Sequence, residues 1–173
     1  MLWIWLSTGL VAFACMELWA ALLHRCVWHT LLWPIHRTHH RGRHDVAPAS
    51  GAGRFELNDW LSAVHAPVAV ALVLYGCVGP LGPGREAAYG FGLGMCAFGA
   101  AYVAVHDGLS HRRFPTAGLG RSRWLARVAA AHRVHHRTGE APFGLFTGPW
   151  TLAWRKRRGL RYGGARVGVR KGT

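Results

Sequence analysis

Ten of the twelve histidines in this chain fall into four clusters with a repeated grammar. His24 and His29 are spaced H-x4-H, and His36, His39 and His40 read H-x2-H-H. The order then recurs, with His106 and His111 again H-x4-H and His132, His135 and His136 again H-x2-H-H. Neutral imidazole is the commonest protein ligand for transition metals, and ten rings exceed what one four-to-six-coordinate ion can use. Two metal ions are the expected count, with all ten histidines as ligands. Apolar segments and varied residues separate the clusters, which sets them apart from a purification tag or a low-complexity histidine tract. His44 and His65 lie outside the pattern, and for them a structural, hydrogen-bonded role is the expectation.

Local geometry constrains how these rings meet. On an ideal α-helix H-x2-H-H spreads its three rings over an arc of about 100°, which suits one ion or two adjacent ones. H-x4-H partners stand about 140° apart, so each pair either contacts different metals or needs a helix end between its members. Residues 121–136 contain no Gly or Pro and carry Leu125, Val128, Ala129, Ala131 and Val134, which predicts a helix with Ser122 near its start. The first pair continues the first apolar stretch as helix, because Pro34 is the earliest breaker after Gly9. Inside the second pair the Asp107-Gly108 step can supply a turn. Asp107 is either a helix cap or an acceptor that orients a ligand imidazole. Glu17 is costly in an apolar stretch without a function or a partner. It is the other candidate to support the ligands from behind, against a plain hydrogen bond across the bundle.

The elements that must carry these residues belong in a membrane. The chain has 173 residues, of which 51% are hydrophobic and only 16% charged. That charged share is below the usual quarter of a soluble domain. Three long apolar stretches, at residues 2–23, about 60–79 and 87–105, can each cross a hydrocarbon core of about 30 Å. A secretory signal peptide is not expected for the first, since it lacks a basic start and its apolar run is too long. The reading is an all-α integral membrane protein with about three long transmembrane helices and a helical cap of histidine boxes. Residues 1–154 form one domain, and 155–173 form a basic tail without structure toward its end. The segment 141–154 is the one place for a short or re-entrant fourth pass.

Charge sets the orientation. Five of the 21 Lys and Arg lie between the first and second stretches, one (Arg85) lies between the second and third, and fifteen follow the third. By the positive-inside rule the histidine boxes and the carboxyl terminus face the cytoplasm of an inner membrane, and Met1 faces the periplasm. A net charge of +14 would suggest nucleic acid in a soluble protein, but here anionic lipid headgroups are the expected partner and nucleic acid is not. The run Arg155, Lys156, Arg157, Arg158 after Trp154 fits an interfacial anchor. Cys15, Cys26, Cys77 and Cys96 form no C-x2-C pair and read as small apolar packing residues rather than disulfide or zinc partners.

At these residues the chain resembles the bacterial β-carotene hydroxylases of the membrane fatty acid hydroxylase and sterol desaturase superfamily. The matching text is MLWIW at 1–5, Met16-Glu17, the H-x4-H of His24 and His29, HRTHH at 36–40, FELND at 55–59, VHDGLSHRRFP at 105–115 and AHRVHH at 131–136. The resemblance implies a non-haem di-iron monooxygenase that hydroxylates carbon 3 of β-ionone rings, taking β-carotene through β-cryptoxanthin to zeaxanthin. It implies two Fe ions, with Zn as the alternative in recombinant material, O2 as cosubstrate, and a carotenoid drawn from the bilayer. The resemblance also implies electrons from reduced ferredoxin and its reductase; the chain carries no flavin or nicotinamide fingerprint, so electrons are expected from a partner. Histidine boxes position an oxidant without choosing its substrate. A carotenoid 4-ketolase, a fatty acid hydroxylase or a sterol desaturase is therefore the alternative enzyme, and a membrane metal carrier is the non-enzymatic one. Gly90, Gly92, Gly94 and Gly99 in the third stretch permit close approach of a helix or of a flat polyene.

Overall fold

The computed structural model describes residues 1–41, 56–116 and 118–162, and the described residues are helical with no strand. Helix α1 covers Leu2–Leu23 and runs on as a π-helical turn, His24–Trp28. Helix α2 covers Trp33–Arg41, and Pro34 stands in its first turn, where a missing N–H costs nothing. Helices α3 (Asp59–Ala63) and α4 (Ala66–Val78) form the second apolar stretch. The predicted single span is interrupted at Val64 and His65, because Pro67 lacks the amide that would continue the ladder. Helix α5, Pro83–Val103, continues as a longer π-helical segment, Ala104–Ser110. Helices α6 (Arg123–Thr138) and α7 (Gly148–Arg157) complete the chain. As expected, Ser122 begins α6, its side chain accepting from the Leu125 amide.

Three segments, Leu2–Trp28, Asp59–Val78 and Pro83–Ser110, are long and apolar enough to cross a membrane. Their outward faces are apolar as well, with Trp3 80% and Val78 85% exposed. Water would not tolerate so large a patch. Helix α7 has 10 residues. At that length it extends only about 15 Å and cannot cross. The basic run expected to open an unstructured tail instead begins inside α7. Arg155 pairs with Glu140 at 3.2 Å and lies over the Tyr162 ring, while residues 163–173 and His44 lie outside the described residues. The four cysteines, expected as packing residues, are all exposed instead, and Cys96 lines a cavity beside α5.

Helix α5 is central, with α1 packed on one side and α4 on the other. Glycines make this possible. A Cβ at Gly94 would overlap the Gly9 carbonyl, a Cβ at Gly90 would meet the Trp5 backbone, and one at Gly92 would press on Val73 and Ala69 of α4. At the end away from the histidines, the Trp5 indole donates to the Glu86 carboxylate and links α1 to α5. Near the histidine end Val105, Val128 and Leu145 form a small core that seats α6 on the π segment of α5. We expect Gly94→Ala to lower the thermal unfolding midpoint in detergent, by the equivalent of about 1–3 kcal/mol of overpacking. Gly84→Ala, whose Cβ meets no atom within 4 Å, should leave the midpoint unchanged.

Candidate metal centre

All ten clustered histidines converge at one end of the bundle, in two groups of five. His24, His29, His36, His40 and His135 form the first, and His39, His106, His111, His132 and His136 form the second; within each, the nitrogens offered lie within 4.8 Å of one another. The groups are neighbours, for the His40 and His136 rings stack at 4.5 Å.

Each H-x4-H pair serves a single group, and in each the helix ends just before the second member, His29 and His111 being the C-caps. A π-helical turn closes with an i to i+5 hydrogen bond. The amides of His29 and His111 bond the carbonyls of His24 and His106 in this way, each at 3.0 Å. The wider turn carries positions five apart onto one side, with ring centroids 5.0 Å apart in the first pair and 4.6 Å in the second. No turn forms at Asp107-Gly108, and the helix passes straight through it. Gly108 is needed for another reason: a Cβ there would run into Thr116 and Phe114 of the following loop.

The H-x2-H-H triads divide. On α2 the i, i+4 pair His36 and His40 face the first group while His39 reaches the second. On α6 the pair His132 and His136 face the second group and His135 crosses to the first. Each helix therefore contributes two histidines to one group and one to the other.

Oxygen acceptors set the tautomers. His24 Nδ1 donates to the Phe143 carbonyl at 2.9 Å and His135 Nδ1 to the Glu140 carbonyl at 2.7 Å. Since a carbonyl only accepts, the proton is at Nδ1 and Nε2 carries a bare lone pair. His36 Nδ1 meets Asn58 Oδ1 at 2.7 Å, His39 Nδ1 meets Glu56 Oε2 at 3.2 Å, and His106 Nδ1 meets Asp107 Oδ1 at 2.9 Å. The Nε2 atoms then face one another: His24 to His36 at 2.9 Å, His24 to His135 at 3.1 Å, and His111 to His132 at 3.0 Å. Lone pairs aimed at each other over so short a distance repel unless a cation lies between them. Two imidazole nitrogens each about 2.1 Å from one ion, at right angles, would stand roughly 3 Å apart. The donor set fits two transition-metal ions.

At His29, His111, His132, His135 and His136 burial favours the neutral form that binds metal. Burial, then the neighbouring His36, holds His29 at about 4, against an ordinary 6.5. Burial takes His135 to about 2 despite the raising effect of the Glu140 carbonyl, and burial followed by neighbouring histidines holds His111, His132 and His136 far below the usual range.

Asp107 sits within the π segment beside His106 rather than capping a helix. Glu17 touches no histidine: its Oε1 accepts from the Thr147 amide at 2.8 Å and from the Thr147 hydroxyl at 2.9 Å. It thus ties α1 to the loop whose Phe143 carbonyl holds His24, and Gly144 leaves room for that tie. His65 is also outside the centre, accepting from the Trp19 indole at 2.8 Å. Sequence reasoning assigned no role to Glu56 or Asn58, although both stood in the FELND text. It missed the carbonyls of Glu140 and Phe143, which no side-chain pattern reveals. Arg113 was missed too; it pairs with Asp59 at 2.8 Å and Glu56 at 3.1 Å, with Asp107 at 3.6 Å.

Fold and site define a helical membrane protein built around a ten-histidine, two-group centre. A sequence profile described as fatty acid hydroxylase matches residues 9–153. A β-carotene hydroxylase of Pantoea ananas is 36% identical over 96% of this chain and 93% of its own length. Beta-carotene 3-hydroxylase 1, chloroplastic, of Arabidopsis thaliana is 44% identical over 79% of this chain, and that of Haematococcus lacustris 38% over 79%. The chain spans about two fifths of the length of these plant and algal relatives, 42% and 41%. No solved structure matches. The chain belongs to the fatty acid hydroxylase family.

Two measurements probe this arrangement. The metal-free fold should be most stable above pH 6.5 and lose stability as the pH falls from there, through about 4 where folded His29 protonates and on toward about 2 for His135. The unfolded chain binds more protons across that window, so the unfolding midpoint must drop with pH and not rise. Glu17→Leu should cost about 1–3 kcal/mol by leaving the Thr147 amide buried and unpaired. Glu17→Gln, which keeps a carbonyl acceptor, should retain most of the stability and metal content.

Proposed function

We propose that this protein is a carotenoid 3-hydroxylase, converting β-carotene through β-cryptoxanthin to zeaxanthin at a histidine-ligated di-iron centre. The observation that carries the reading is the pair of five-imidazole groups with facing Nε2 lone pairs, in a chain whose relatives bear β-carotene hydroxylase names. His24, His29, His36, His40 and His135 would hold one iron, and His39, His106, His111, His132 and His136 the other. When bound, the metals supply the redox chemistry that activates O2. Overall one ring C–H becomes C–OH, the second oxygen atom leaves as water, and reduced ferredoxin supplies the two electrons.

The chain's own residues prepare that centre. Asn58, Glu56, Asp107 and the carbonyls of Phe143 and Glu140 hold protons at Nδ1, so the opposite nitrogens stay basic and correctly aimed. Burial excludes water from the rings, His36 being 2%, His39 1% and His135 0% exposed. On this reading the chain lies in the inner membrane, and the excess of Lys and Arg between the first and second spans and after the third supports a cytoplasmic histidine end and carboxyl terminus with Met1 periplasmic. Exposed Trp150 and Trp154 beside Arg155, Lys156, Arg157 and Arg158 suit an interface with anionic lipid, and the same basic face suits docking of an acidic ferredoxin.

Expression in cells that accumulate β-carotene, with a ferredoxin and its reductase, should yield zeaxanthin and the singly hydroxylated intermediate by chromatography. A chain loaded with two irons per molecule and supplied with electrons that forms a 4-keto or no carotenoid product would reject the reading. His135→Ala should abolish product while membrane insertion persists, since it removes a ligand of the first group and not a span.

A further inference from the structure

Resting on the proposed hydroxylase reading, we propose that a lateral cavity between α1 and α4, floored by α5, is the seat of the substrate, and that Gly99 keeps it open for a neutral, rod-shaped hydrocarbon. The cavity encloses about 580 Å³. Small-molecule sites run from roughly 300 to roughly 1000 Å³, so the volume is sufficient. It exists because α1 and α4 both pack on α5 and scarcely on each other. The Trp19 to His65 hydrogen bond spans the gap between those two helices, with His65 on the cavity wall. Ala63 at the end of α3 and Ala66 and Ala69 of α4 keep that wall thin, and Val70 and Val103, 52% and 45% exposed, stand where the cavity meets the outer surface. In a bilayer that opening faces lipid.

Its inner end lies against the histidines. Trp28 lines the cavity and packs on His24 and His36, at centroid distances of 5.3 and 5.6 Å, while Tyr102 lines it and stacks on His106 at 4.8 Å. A molecule filling the cavity from the lipid side thus ends one aromatic side chain from both groups.

Gly84, in the first turn of α5, also meets no atom within 4 Å, but Gly99 lies mid-helix on the cavity wall and points to a ligand. Its helix neighbours Gly90, Gly92 and Gly94 each face a packed partner, but a Cβ at Gly99 would meet no atom within 4 Å. A glycine in a helix interior costs about 0.5–1 kcal/mol relative to alanine. No contact among the described residues requires that cost here, whereas an apolar slab lying against α5 would. The charge pattern chooses among lipids: among the described residues the one cation on the wall, Arg113, is already paired with Asp59, Glu56 and Asp107. A fatty acid carboxylate would find three acids around that single base, while a hydrocarbon ring meets no unpaired charge.

The test compares wild type, Gly99→Trp and Leu10→Trp made in β-carotene-accumulating cells with an electron donor. Purified chains are read for carotenoid bound, iron bound and hydroxylated product. Gly99→Trp should lose at least about tenfold in both bound carotenoid and product with iron per chain unchanged. Leu10→Trp, at a position 71% exposed on α1 away from the cavity, should match wild type. If the tryptophan variant is not recovered from the membrane, Gly99→Leu, which adds volume and favours the helix, is read the same way. Wild-type binding and turnover in the substituted chain would overturn the assignment, as would lost product with carotenoid still bound. A wild-type chain that oxidises some other neutral lipid, with Gly99→Trp blocking it, would keep the cavity and reject the β-carotene reading.

Discussion

The structure depends on one electrostatic requirement, that ten imidazoles, seven of them buried and three half-buried, gather in two groups with ring nitrogens facing one another. Neutral imidazole offers one donor and one acceptor, so a proton must be pinned on the far nitrogen before the near one can serve as a ligand. Here the pinning groups are oxygen atoms from separate parts of the chain: Asn58 and Glu56 ahead of α3, Asp107 within the π segment, and the carbonyls of Glu140 and Phe143 after α6. Burial adds to the same end by disfavouring the imidazolium form. Without a cation the facing nitrogens repel, so the packing of this end of the bundle and the binding of metal are one problem.

Geometry supplies what chemistry demands by departing from regular helix at two points. The helices that cross the membrane, α1 and α5, each run into a π turn where their histidines begin, and that wider turn gathers an H-x4-H pair on one side. The shorter helices α2 and α6 then divide their triads between the groups. No single element builds either half of the centre, so neither half forms before the elements dock. The glycine-mediated approach of α1 to α5 and the Glu17 to Thr147 tie transmit that docking to the rings.

Much of this was legible in the chain. Three apolar stretches of spanning length, a helix near 121–136 with Ser122 at its start, and a shared location for ten histidines all follow from hydropathy, capping chemistry and spacing, which are local properties. Where reading failed, an ideal-helix assumption was at fault. Treating i and i+5 as about 140° apart hid the π turns, and treating Asp107-Gly108 as a turn ignored that glycine also permits close approach of a neighbouring loop. Exposed cysteines defeated a rule calibrated for water-soluble cores, because an apolar exterior is ordinary for a chain that spans a membrane.

The sequence by itself determined the clustering of imidazoles, their count of ten, the apolar spans and the charge imbalance, because each is a property of residue identity and spacing. Only tertiary structure decided which imidazole joins which group, which oxygen pins each proton, and where α1 and α4 separate over Gly99. Those outcomes depend on distances between residues more than a hundred positions apart, such as His24 and His135 at 3.1 Å, and on backbone carbonyls that every residue carries alike. Local pattern cannot encode them; packing selects them.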